Sequence, residues 1–153
     1  MRKITPFLWF NDKAEEAMTF YVSIFKNSKA GRVTRNGGSV MSVTFTLEEQ
    51  EFMALNGGPE YHFTPAISLF VNCKTQEEVD ELWEKLSAGG KIDRCGWLRD
   101  KYGLSWQIIP SALGEMLGDS DPAKAHRVMQ AMLKMDKIDI AKLKQAREGK
   151  GST

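Results

Sequence analysis

Gln107 stands in the middle of SWQII, residues 105–109, an amide among tryptophan and isoleucine. A buried amide carries two donors and two acceptor sites, so it calls for a protein neighbour, a water or a ligand. Alternation along an extended strand puts Ser105, Gln107 and Ile109 on one face and Trp106 and Ile108 on the other. The thiols and imidazoles offer less. Cys73 and Cys95 are far apart, form no CxxC pair and are accompanied by only two histidines, His62 and His126. That set argues against structural zinc and points to a reducing compartment. Arg94 would lower the Cys95 pKa if the two side chains met; we read Cys95 instead as a passive buried thiol. His62, between Tyr61 and Phe63 in a Gly-Pro loop, reads as a surface linker residue. His126 reads as a solvated or interface side chain.

The elements that must carry these groups are bounded by the chain's length and charge. With 153 residues, 42% apolar and 27% charged, there is material for one ordinary domain or two small modules sharing a core. Twenty-one Lys and Arg against twenty Asp and Glu leave a net charge of +1, so no global field draws the chain to nucleic acid or anionic lipid. The basic run Lys142, Lys144, Arg147 and Lys150 reads as the wet face of a last helix. No apolar stretch reaches the roughly 20 residues of a membrane span, and MRKITPFLWFND lacks the apolar core of a secretion signal. We expect a cytoplasmic protein.

The strongest internal signal is a repeat. KITPFLWF at 3–10 reads as a strand running into a helix opened by Asp12, with Ala14, Ala17, Met18, Tyr21, Val22 and Phe25 at helical spacing. FTPAISLFVN at 63–72 runs likewise into TQEEVDELWEKL, with Val79, Leu82, Trp83 and Leu86 on one stripe and Gly89-Gly90 as a stop. An offset of 62 lays one helix over the other. After the first helix come strands at 29–35, 39–47 and 51–56, with Asn36-Gly37-Gly38 as a hairpin turn. After the second come 91–95, 97–100 and 105–109. Each half therefore reads β-α-β-β-β. Beyond Pro110 the chain turns helical: ALGEML, then a helix opened by Asp121-Pro122, a break at 136–139, and IAKLKQA. Met129, Met132, Leu133 and Met135 form an apolar stripe that must be covered by its own domain or by a second subunit. The expected organisation is a first module over 1–62, a second over 63–110, a helical extension over 111–148 and a disordered tail over 149–153.

PFLWFNDKAEEAMTFY, FMALNGGP, TPAISLFVNC, the VMQAMLKMDKIDIAKL region and above all CGWLRDKYGLSWQIIP at 95–110 resemble the PhnB-like branch of the glyoxalase/bleomycin-resistance/extradiol-dioxygenase (VOC) superfamily, often labelled a 3-demethylubiquinone methyltransferase domain. The resemblance runs from about residue 3 to residue 147. It implies an α+β fold of two βαβββ modules whose sheets curl around a cavity, helices outside, and a homodimer.

The resemblance also implies four ligand positions for a divalent cation in metal-dependent relatives. Here they fall near Thr5 or Pro6 and on Asn56, Ala66 and Gln107. Mg²⁺, Mn²⁺ and Fe²⁺ sites need carboxylate or imidazole donors, so we expect no metal and no cofactor. Asn56 and Gln107 either bond to each other or to backbone across the sheet, or they face a ligand. The register puts Thr5, Phe7 and Trp9 inside, and with Asn56, Phe70, Trp97 and Gln107 they are the candidate lining of a site for a flat or partly apolar small molecule; the same aromatics also serve as core. Three readings stand: a metal-free small-molecule binding protein; an enzyme, whether methyltransferase or metal-dependent lyase, isomerase or dioxygenase; and an interaction protein with a filled pocket. Against methyl transfer, FNDKAEE has no glycine-rich turn to bring a nucleotide-like cofactor to a helix N-terminus. The sequence names no ligand.

Overall fold

The computed structural model describes residues 2–149. The chain divides into two compact units, Met1–Phe63 and Thr64–Thr153. Of the expected tail, residues 150–153 lie outside the described part.

In the first unit, β1 (Phe7–Phe10), α1 (Ala14–Ile24), β2 (Ser28–Asn36), β3 (Ser39–Leu47) and β4 (Gln50–Asn56) form a four-stranded mixed sheet in the order β1-β4-β3-β2. β1 runs parallel to β4 and the other pairs are antiparallel. In the second unit, β5 (Ser68–Cys73), α2 (Gln76–Ser87), β6 (Lys91–Ile92), β7 (Trp97–Arg99) and β8 (Ser105–Pro110) repeat that plan in the order β5-β8-β7-β6. The two helices begin at Ala14 and Gln76, 62 positions apart, as the repeat predicts. Three helices follow: α3 (Ser111–Leu117), α4 (Pro122–Met132) and α5 (Ile140–Arg147). The fold is thus α+β with two βαβββ modules, and neither sheet closes on itself. Among the described residues no helix is long and apolar enough to cross a membrane.

Each module helix covers one face of its own sheet. α1 packs on β2, β3 and β4, burying Ala14, Ala17, Met18, Tyr21 and Ile24; the sheet meets it with Leu8, Phe10, Val43, Phe45, Phe52 and Ala54, all buried. α2 packs on β5, β7 and β8 through Val79, Leu82, Trp83 and Leu86, opposite Leu98, Trp106 and Ile108. Thr75 caps α2 by accepting from Glu78 N, and the Glu78 carboxylate accepts from Lys74 N, a near relative of the capping box.

Two expected strands start later than their apolar runs. β1 begins after Thr5-Pro6, although Pro6 O still accepts from Met53 N at 2.9 Å. β5 begins after a turn in which Thr64 Oγ1 accepts from Ala66 N, so Ala66 is an exposed turn residue and not part of a strand. The reason is the same: a threonine-proline step removes an N–H from the ladder and favours a turn.

The β3–β4 hairpin turns on Glu48 and Glu49, with φ of 46° and 74°. Both lie in the left-handed region that glycine and asparagine favour. Glu49→Gly should therefore stabilise the protein by about 1 kcal/mol, seen as a higher urea midpoint with unchanged slope.

Candidate functional site

The face of each sheet turned away from its helix carries five of the seven candidate residues, Phe7, Trp9, Phe70, Trp97 and Gln107. In the second unit, Phe70 and Trp97 are the direct cross-strand partners of Gln107. Side chains so paired share a face and lie side by side, so three of the candidate residues form one row across β5, β8 and β7. Phe70 is 60% exposed, while Gln107 and Trp97 are half-buried. The neighbouring row is polar: Ser68 and Arg99 flank Ser105. Gln107 Nε2 donates to Ser68 Oγ at 2.9 Å, which leaves the other end of the amide for a further partner. Ser105 is fully buried, and its hydroxyl has no hydrogen-bond partner among the described residues. Arg99 forms a bidentate pair with Asp93, both bonds 3.0 Å, and that pairing raises the guanidinium pKa. An aromatic row with an amide at its centre can hold a small molecule with an apolar body and a polar edge.

The same face ends at Ile109. There the side chain is buried in an apolar cluster with Leu113, Met116, Val128, Ile138 and Leu143 from the C-terminal helices. Met132 and Met135 of the apolar stripe pack against that cluster, while Met129 and Leu133 stay exposed.

In the first unit the corresponding row is apolar. Phe7 pairs with Met53 and Trp9 with Leu55, so Met53 holds beside Phe7 the place that Gln107 holds beside Phe70. Phe7 is 51% exposed. Trp9 is anchored: its Nε1 donates to Gly58 O at 3.0 Å, and its ring meets Tyr61 edge-on. A Cβ on Gly57 would fall 2.3 Å from the indole, which explains why NGGP follows the strand. Thr5 precedes β1, and its hydroxyl is buried without a partner among the described residues.

Asn56 departs from the expected lining. It pairs with Phe10, on the helix side of the sheet, and its amide is committed at both ends. Oδ1 accepts from Ala14 N at 2.8 Å, and Nδ2 donates to Val40 O at 3.2 Å. It therefore caps α1, whose own preceding residue, Lys13, supplies no side-chain cap. The sequence reading gave that opening to Asp12. Alternation applied to EFMALN would have separated Met53 and Leu55 from Ala54 and Asn56, and so would have found the first row.

Two residues of the CGWLRDKYGLSWQ stretch explain its composition. Asp100 is 2% exposed. Its Oδ1 accepts from Tyr102 N and Leu104 N at 2.8 and 3.1 Å, and its Oδ2 from Trp106 Nε1 at 2.9 Å. Gly96 has φ +83° and sits against Ile108, Ile109 and Ile138. Both residues shape β7 and β8 and thus hold the row. Sequence reasoning missed Asp100, whose signal was a lone carboxylate two residues before Tyr-Gly. Of the thiols, Cys73 is buried, and desolvation, helped by Glu78, pushes its pKa up to about 12. It stays protonated and inert at neutral pH.

A family model described as 3-demethylubiquinone-9 3-methyltransferase matches residues 2–109. A PhnB protein from Bacillus cereus is 41% identical, with 71% of this chain covering 99% of that one at a TM-score of 0.68. The fosfomycin resistance protein FosX from Listeria monocytogenes, solved with Mn(II) and sulfate, shares the fold at 17% identity, 69% and 90% coverage and a TM-score of 0.52. A glyoxylase/bleomycin resistance protein/dioxygenase domain from Frankia does so at 13% identity, 72% and 92% coverage and a TM-score of 0.51. No curated protein matches the chain.

Proposed function

Because the chain belongs to the 3-demethylubiquinone-9 3-methyltransferase family, the PhnB-like branch of the glyoxalase/bleomycin-resistance superfamily, we propose that it is a cytoplasmic, metal-free small-molecule binding protein that works as a homodimer. One observation carries this reading: the Phe70–Gln107–Trp97 row, with an exposed aromatic at its edge and an amide at its centre. An apolar ring laid on Phe70 and Trp97 removes apolar area from water, and its polar edge bonds the Gln107 amide. Exposed Ile4, Phe7, Ile67 and Phe70, at or just before β1 and β5, one edge strand of each sheet, supply apolar surface for a second copy.

The donor set does not fit a divalent cation. The positions implied for one are an unpartnered threonine or the proline after it, a helix-capping amide, an exposed alanine and an amide bonded to serine. Hydroxyls and neutral amides hold such ions weakly. Asn56 already occupies Ala14 N at the start of the first helix, and FNDKAEE has no glycine-rich turn to bring a nucleotide-like methyl donor there. An interaction role draws on a different observation, the exposed Met129 of α4 and Leu133 at its C-cap.

Native mass spectrometry with metal analysis of the purified protein tests the proposal. A retained organic compound is the expected result; a stoichiometric metal would favour an enzyme instead. Phe70→Ala and Gln107→Leu should each weaken retention by about ten-fold while changing stability by less than about 1 kcal/mol. Unchanged retention in both variants counts against this row.

A further inference from the structure

The family match stops at residue 109, and α3–α5 lie beyond it. Besides the apolar cluster they form with Ile109, the connection between α4 and α5 meets the corner that leads into the row. Cys95 N donates to Met135 O at 2.8 Å, and Gly96 N donates to Asp136 O at 2.7 Å. Cys95 and Gly96 have φ of +59° and +83°, so the corner before β7 is built from two successive left-handed residues. Adjacent N–H groups at such a corner make a concavity that attracts negative charge. Here two carbonyl oxygens of the α4–α5 connection fill it.

The connection is itself tied down. Gln76, at the start of α2, donates through Nε2 to Ile138 O at 2.9 Å and accepts through Oε1 from Ile140 N at 2.8 Å. Asp80 accepts from the same Nε2 and pairs with Lys137 at 3.0 Å; the Gln76 bond, then Lys137, hold its carboxyl below the usual range. Fully buried Ile138 completes the contact, standing 3.1 Å from where a Gly96 Cβ would be. On the other side of the corner, Ile108 N donates to Gly96 O at 2.7 Å, and Trp97 N to Arg94 O at 3.0 Å. The next residue along, Trp97, is the direct partner of Gln107.

We propose that the Met135–Ile140 connection is a strap that fixes the Cys95–Gly96 corner and thereby positions Trp97 beside Gln107. Gln76 and Ile138 are then positioning residues, acting on the row without belonging to it. A left-handed corner with a non-glycine residue costs energy to hold, and backbone bonds from outside the hairpin supply that restraint. The value of this for ligand selection rests on the binding reading above; the mechanical claim does not.

The test uses the full chain labelled with 5-fluorotryptophan, the Trp97 resonance being assigned by its loss in Trp97→Phe. Gln76→Ala should speed amide exchange at Cys95 and Gly96 by about ten-fold and shift or broaden the Trp97 resonance, leaving that of Trp106 in place. Val79→Ala, which opens a cavity under α2 but keeps the Gln76 bonds to Ile138 and Ile140, should leave the Trp97 resonance unmoved. Where Gln76→Ala does not fold, Ile138→Val gives the same readout by removing one methylene. Unchanged exchange at the corner overturns the proposal, as does a Trp97 resonance that stays put while exchange accelerates or moves equally in Val79→Ala. A protein that retains no organic compound sinks the binding reading alone, since neither exchange nor fluorine readout involves a ligand.

Discussion

Asp100→Ala should lower the stability of the protein by about 4 kcal/mol, because it removes a buried carboxylate that three donors share. The donors are Tyr102 N, Leu104 N and the indole of Trp106, at 2.8 to 3.1 Å. Leu104 and Trp106 are themselves only 2% exposed, so water cannot replace the lost acceptor there. The backbone of the turn depends on the same residue: Asp100 N donates to Leu104 O, and Gly103 N to Asp100 O, both at 2.9 Å. Asp100→Asn keeps one oxygen for the backbone donors but turns its N–H₂ group on the indole N–H, so about half the loss should remain. Urea unfolding followed by tryptophan fluorescence reads both variants. A loss below about 1 kcal/mol in Asp100→Ala would show that the turn is held by its backbone alone.

Gly96→Ala is the second large effect, at about 3 kcal/mol. A Cβ there would lie 2.6 Å from Ile109 Cδ1 and 3.1 Å from both Ile108 O and Ile138 Cγ1. One of those neighbours is backbone in the middle of the β8 ladder and cannot move cheaply; the others belong to the C-terminal apolar cluster. Overpacking of this kind costs about 1–3 kcal/mol, and a side chain at φ +83° adds about 1–2 kcal/mol. Thermal unfolding measures the sum. Gly37→Ala is the matched control: its φ is +66°, but open space surrounds it, so it reports backbone strain without the clash. Equal losses in the two variants would mean that packing around Gly96 is slack.

Both residues sit in the stretch whose composition was most distinctive, yet neither was among the candidate site residues. The sequence separated the outer from the helix-facing side of β8, since Trp106 and Ile108 are too apolar for any place but the core, and the structure buries both. It did not separate them on β4, where Met53, Leu55 and Ala54 are all apolar and alternation alone marks the difference. So Asn56 entered as a lining residue, although its amide caps a helix that begins 42 residues earlier.

Local pattern determined most of the architecture. Helix starts, the Gly37-Gly38 hairpin and the β-α-β-β-β repeat follow from apolar spacing and turn chemistry, because each is set by residues within one or two turns of chain. The tertiary structure alone decided which groups meet: Phe70 and Trp97 on either side of Gln107, Asn56 at Ala14, Gln76 at Ile138, and Cys95 and Gly96 at the Met135–Asp136 carbonyls. Strand register and helix docking join residues 10 to 62 positions apart, and the energy of each such contact depends on burial that no single segment of sequence contains.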